Sequence, residues 1–229
     1  MLTRELIRSG DYLRLYTTLP HAWRWPRERI LRSLEETMRI RPDGGDVWVF
    51  GYGSLIWNPL LDFQAQQAAA LDGWHRSFCL RMVVGRATNE TPGRMLALEP
   101  EGRTHGVVYR LATQKLEQEL PLLWQREMVS GAYLPTWLPV DLANGQRVHA
   151  LVFVADRRRP QFEIDSSVAT VAPLIARASG VHGSNADYVF KLSFALADRG
   201  CTDDYVEALA CELRRIGSHM QHGADRALP

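Results

Sequence analysis

The texture of residues 47–154 limits the fold most. Short runs rich in β-branched and aromatic residues alternate there with turns marked by glycine, proline and polar residues. Seven segments read as strands: 47–50, 65–71, 77–84, 94–99, 105–111, 134–141 and 147–154. "RVHALVFVAD" has the alternation and apolar density of a strand covering a core. Seven short strands in about a hundred residues predict a small barrel or a strongly bent sheet. A helical stretch, 113–128, interrupts them and contains Pro121. Proline lacks an amide hydrogen, so a break is expected, with Pro121 in the first turn of a second helix.

The flanks differ in texture. Residues 1–45 read as an Arg-rich N-terminal extension punctuated by Pro20, Pro26 and Pro42. Arg27 to Arg39 fits a helix with Ile30, Leu31, Leu34 and Met38 on one face. The C-terminal third is helical. Ser166 or Ser167 is placed to cap a helix carrying Val168, Val171, Ile175 and Ala178, and Gly180 ends it. A second helix is predicted from Ala186 to Arg199. A third starts at Thr202 or Asp203, with Val206, Leu209, Leu213 and Ile216 on one stripe. Residues 217–229 read as a disordered tail. The expected class is α+β, with one domain over residues 46–216.

Composition excludes more than it proposes. The net charge is +1, and no basic stripe alternates with aromatic residues, which argues against a nucleic-acid partner. No uncharged apolar stretch approaches the roughly 20 residues a membrane helix requires. "MLTRELIRSGDYL" lacks the apolar segment of a secretory signal. Cys79, Cys201 and Cys211 are odd in number and form no CxxC pair, so they read as reduced thiols of a cytoplasmic protein. The histidines are scattered, with His219 and His222 close together near the C-terminus, and no metal-ligand spacing is present. Neither a metal nor a cofactor is expected. Oligomeric state is not encoded, with a monomer favoured.

Two places carry candidate chemistry. "DVWVFGYGSLIWNP" at 46–59 is a buried-type strand running into a glycine-broken loop, which is either a plain turn or a backbone cradle for a ligand. Ser54 within it is not in a G-x-S-x-G elbow, and no histidine stands out as its base. Glu127 lies at a helix end between Trp124 and Met128. It reads either as a surface carboxylate paired with Arg126, or as a carboxyl group whose pKa is raised by apolar neighbours into general-base range.

Five blocks resemble the ChaC-like γ-glutamylcyclotransferases. They are "VFGYGSLIWNP" at 49–59, "GWHRSFCL" at 73–80, "THGVVYRL" at 104–111, "LWQREMVSGAYLPTWLPV" at 123–140 and "GSNADYVFKL" at 183–192. The first and fourth are specific, and the others support them. The resemblance implies a γ-glutamylcyclotransferase-like small bent β-barrel with flanking helices and a helical C-terminal region. It also implies cofactor-free conversion of glutathione to 5-oxoproline and cysteinylglycine. By the same resemblance Tyr52, Gly53, Ser54 and Leu55 form the substrate loop, Glu127 is the catalytic acid/base, and Tyr133 lies in the pocket. "GRATNETPGRM" and Val107-Val108 depart from the family pattern, and bear on the pocket wall and the leaving group. Other γ-glutamyl amines or dipeptides remain alternative substrates, and a non-catalytic regulator of the same fold remains an alternative class.

Overall fold

The structure, a computed structural model, describes residues 2–42 and 44–225, with side chains as far as Ser218. The chain divides into two compact units. One comprises the residues up to Arg76 together with Ala97–Phe162, and the other Ser77–Leu96 with the residues from Glu163 on.

The first unit is built on a closed barrel. The barrel strands are β1 (Val47–Gly51), β2 (Ala65–Met82), β3 (Gly93–Leu111), β4 (Tyr133–Leu142) and β5 (Arg147–Ala155), in the order β1-β3-β2-β4-β5, with the end of β2 and the start of β3 running on into residues of the second unit. β1 runs antiparallel to β3, with Val47 opposite Leu111 and Gly51 opposite Val107. A short parallel pairing of Trp48 and Val49 with Ala150 and Leu151 closes the ring between β1 and β5. Val47, Val49, Tyr109, Leu151 and Phe153 are buried. Branched and aromatic side chains fill a barrel this small, which explains the density of such residues in the sequence.

The barrel has five strands where the sequence predicts seven. The segments 65–71 and 77–84 fuse into β2, and 94–99 and 105–111 fuse into β3. Gly73 at φ +78°, and Glu101 and Gly102 at +89° and +77°, lie inside these strands. A left-handed residue serves a bulge as well as a turn, so it can bend a long strand without ending it. Sequence alone does not separate the two uses.

Pro121 also departs from expectation. A 3-10 turn at Thr113–Lys115 leads into the helix α4 (Leu116–Glu127), which continues through the proline. The carbonyl that loses its donor belongs to Glu117 in the first turn, on an exposed residue where water can replace the bond.

The N-terminal extension holds two short helices besides the one the sequence predicts. The expected helix is α3 (Arg27–Arg39), and α1 (Arg4–Arg8) and α2 (Asp11–Arg14) precede it. Arg4 forks onto Glu119 of α4 with two bonds of 2.6 Å, and Glu119 also accepts from the Asp62 amide at 2.9 Å. Ile7 and Tyr12 share an apolar cluster with Leu122 and Val129. Burying each aliphatic side chain there contributes about 1.5–3 kcal/mol. The Trp124 indole donates to the Ser33 hydroxyl at 2.8 Å, which joins α3 to α4.

The second unit holds the helices expected near the C-terminus: α5 (Val168–Arg177), α6 (Asn185–Ala197) and α7 (Asp204–Asp225). A two-stranded ribbon, β6 (Ser179–Gly180) with β7 (Gly183–Ser184), lies between α5 and α6 in sequence. Ser184 caps α6 by accepting from the Asp187 amide, and Asp203 accepts from the Val206 amide. Val206, Leu209 and Leu213 are buried, as the stripe requires. The backbone of α7 continues to Asp225, past residue 216 where order was expected to end; residues 226–229 of the expected tail lie outside the described residues. Among the described residues no helix is long and apolar enough to cross a membrane.

Candidate active site

β1 delivers the chain to the rim of the barrel, and the loop after it turns at once. Ser54–Ile56 form a 3-10 turn in which the Ile56 amide bonds Gly53 and the Trp57 amide bonds Ser54. The amides of Gly53, Ser54 and Leu55 take no part in those two bonds, leaving consecutive donors at the head of the turn.

The loop is anchored from below. The Tyr52 hydroxyl donates to the Phe153 carbonyl at 2.5 Å, so this side chain is turned onto β5. Buried Arg76 donates from Nε to the Tyr52 carbonyl at 2.9 Å and from Nη2 to the His105 carbonyl at 2.5 Å. The Tyr109 hydroxyl donates to the Leu55 carbonyl at 2.7 Å. Backbone carbonyls turned inward thus meet buried donors, as a loop over a core requires.

Gly106 of β3 permits this approach. A Cβ there would lie 2.5 Å from the Gly51 carbonyl oxygen and 2.8 Å from the Phe50 ring. The nearest atom is backbone, so it cannot simply rotate away. Gly106→Ala is expected to cost about 3 kcal/mol, at the upper end for overpacking. A denaturant midpoint equal to that of the parent would show that the strand edge yields freely.

Glu127 closes α4, and its side chain is 16% exposed. Burial raises its pKa above the ordinary carboxylate range, and the Arg126 charge opposes the shift. Arg126 Nε lies 2.9 Å from Glu127 Oε1, yet that oxygen has no hydrogen bond among the described residues. The two findings agree if the contact is an ion pair whose N–H points elsewhere.

Arg126 brings the two candidate places together. Nη2 donates to Ser54 Oγ at 2.8 Å, and Nη1 to the carbonyls of Asn58 and Pro59 at 2.6 and 3.2 Å. One guanidinium therefore spans the loop and the carboxylate. Tyr133 starts β4 and is buried with its ring edge-on to Phe153, whose carbonyl receives Tyr52. Arg126 thus links Ser54 to Glu127, and Phe153 links Tyr52 to Tyr133.

Sequence reasoning missed the supporting cations. In the sequence Arg126 stands out only as a partner for a surface Glu127, and Arg76 does not stand out at all. Their signal is weak, because arginines are frequent throughout this chain and burial is not written in residue type. A cleft of about 510 Å³, lined by Arg41, Trp48, Arg110, Trp137 and His149 among others, contains none of these site residues.

A buried carboxyl group with a raised pKa, beside backbone donors and a fixed cation, can take up and return a proton next to an anionic or carbonyl-bearing ligand. The model of the family described as ChaC-like protein matches residues 47–216. A glutathione-specific γ-glutamylcyclotransferase of Escherichia coli (strain K12) is 47% identical over 216 residues, covering 94% of each chain. One from Schizosaccharomyces pombe is 28% identical over 200 residues, 78% of this chain and 97% of its own. The crystal structure of a γ-glutamyl cyclotransferase specific to glutathione from yeast superposes with a TM-score of 0.70 at 23% identity, over 75% of this chain and 97% of that one.

Proposed function

The chain belongs to the ChaC-like family, and from that premise we propose that it degrades glutathione by internal aminolysis, with Glu127 as acid/base. The observation that carries this reading is the single guanidinium of Arg126, which joins Ser54 Oγ at 2.8 Å to the Glu127 carboxylate at 2.9 Å. The names of the relatives supply the substrate.

The substrate holds both reacting groups. Its α-amine attacks its own γ-carbonyl, a five-membered lactam closes, and the cysteine nitrogen leaves with a proton. No water is consumed, and the products are 5-oxoproline and cysteinylglycine. Fixing the glutamyl chain in an attack conformation supplies the main advantage, on the order of 7–11 kcal/mol for well-oriented internal reactions. Glu127 removes a proton from the α-ammonium, which cannot attack while protonated, and returns a proton to the leaving nitrogen. Its raised pKa suits both steps, because a group that titrates nearer neutrality is a better base and a better acid in turn. The amides of Gly53, Ser54 and Leu55 face the negative charge, either the developing oxyanion or the α-carboxylate. Tyr52 and Tyr133 shape the pocket, with the Tyr52 hydroxyl held by Phe153.

The test is incubation with glutathione and detection of 5-oxoproline, run beside γ-glutamyl-alanine. Rapid 5-oxoproline release from glutathione alone is expected. Equal turnover of both compounds would leave a cyclotransferase of broader γ-glutamyl scope, and no 5-oxoproline from either would remove the reading.

A further inference from the structure

Residues 2–26 precede everything the family model matches, yet they hold the end of α4 from two sides. On one side the Tyr12 hydroxyl donates to the backbone carbonyl of Arg126 at 3.3 Å and lies 2.8 Å from the Tyr16 hydroxyl. A phenol has one proton, so with Tyr12 donating to Arg126, Tyr16 donates to Tyr12. Their rings stand edge to face, with centroids 5.0 Å apart. On the other side the Trp25 amide donates to the Val129 carbonyl at 3.0 Å. The Trp25 indole lies so close to Gly131 that a Cβ at that left-handed residue would collide with it.

These contacts fall where the helix is weakest. The last carbonyls of a helix have no partner within it, and Arg126 and Glu127 are the last two residues of α4. Among the described residues Glu127 Oε1 has no hydrogen bond, so the place of that oxygen follows its backbone and the Arg126 ion pair. A misplacement of about 1 Å at a reacting group can cost 100-fold in rate. Whatever pins the Arg126 carbonyl therefore pins the acid/base.

We propose that Tyr12 and Tyr16 are positioning residues for Glu127, their hydroxyl pair clamping the final turn of α4 through the Arg126 carbonyl. The inference rests on Glu127 acting as the acid/base. Burial drives the Tyr12 pKa well above the ordinary phenol range, and the neighbouring Tyr16 and Glu127 add to this. Tyr16 is raised by burial, with its bond to Tyr12 opposing and the Glu127 charge adding. Both phenols stay neutral where the enzyme works, so they act as fixed hydrogen-bonding groups. Among the described residues, the charged and titratable groups facing Glu127 are Arg126 of α4 and these two tyrosines.

Tyr12→Phe and Tyr16→Phe test the proposal against exposed Arg14→Ala as a control on the same segment. Tyr12→Phe is expected to lower kcat about 10-fold with KM changed less than about two-fold, a fraction of the cost of a 1 Å misplacement. The acid limb of the kcat/KM profile should move up by roughly half a pH unit, because losing a polar hydroxyl further disfavours the carboxylate. Tyr16→Phe keeps the Arg126 bond and should move both quantities the same way by less. Arg14→Ala should match the parent. If both tyrosine variants keep the parent kcat and acid limb while melting earlier, the pair is merely structural and the proposal falls. Measuring Glu127→Gln in parallel separates the two failures: a fully active Glu127→Gln overturns the acid/base reading itself, whereas an inactive one with unaltered tyrosine variants overturns the positioning role alone.

Discussion

Glu127→Gln is expected to lower 5-oxoproline production ~10²–10⁴-fold, the usual worth of a positioned acid/base. The amide matches the carboxyl group in shape but cannot accept the ammonium proton. Glutathione binding should persist in part, because the loop amides and Ser54 are untouched. The variant also offers a thermodynamic check. Burial raises the carboxyl pKa in the folded state, so the group's contribution to stability is fully present below its unfolded value of about 4.3 and is lost as pH rises through the folded value. Glutamine does not ionise. The melting temperature of Glu127→Gln relative to the parent should therefore climb as pH increases from 4 toward neutrality. Parent-like turnover would dismiss Glu127 as the acid/base, and a flat difference in melting temperature would dismiss the raised pKa.

Arg126→Met should cause the second large loss, and it should affect stability and rate together. The guanidinium serves Ser54 Oγ, the carbonyls of Asn58 and Pro59, and the Glu127 carboxylate. Methionine fills similar volume but leaves those acceptors unserved and a buried carboxylate without its cation. Breaking such a pair from one side costs about 3 kcal/mol, which for a domain of this size lowers Tm by roughly 6–12 °C. The Glu127 pKa should rise further, so the base is less ionised at neutral pH and kcat/KM falls ~100-fold, with an acid limb displaced upward. Arg126→Lys keeps the charge without the planar fork and should fall between the two. A Met variant that melts with the parent would show that solvent already serves these acceptors.

Some of this was legible in residue order. The strand positions follow from runs such as "VWVF" and "RVHALVFVAD", because β-branched and aromatic side chains suit a pleated surface packed on a core. α3 was placed within its observed bounds by the spacing of Ile30, Leu34 and Met38 and the proline before it. The strand count was not legible, because Gly73 and Gly102 read as turns and serve as bends inside long strands. Continuity of α4 through Pro121 depends on where the unpaired carbonyl lands, which local sequence does not fix. α1 and α2 are four or five residues each and too short to show a period; their stability comes from Arg4 on Glu119 and from the cluster around Ile7 and Tyr12.

The candidate site divides the same way. Sequence by itself determined that a glycine-flanked loop follows a buried strand, and that a carboxylate ends a helix among apolar residues, since both are local patterns of residue type. Tertiary structure alone decided that Arg126 joins them, that Arg76 and Tyr109 hold the loop from below, and that Tyr12 reaches the last turn of α4. The physical reason is range. Propensity and periodicity act over a few neighbouring residues, whereas burial of a charge and the partner that offsets it depend on which distant segments the fold brings within hydrogen-bonding distance of one another.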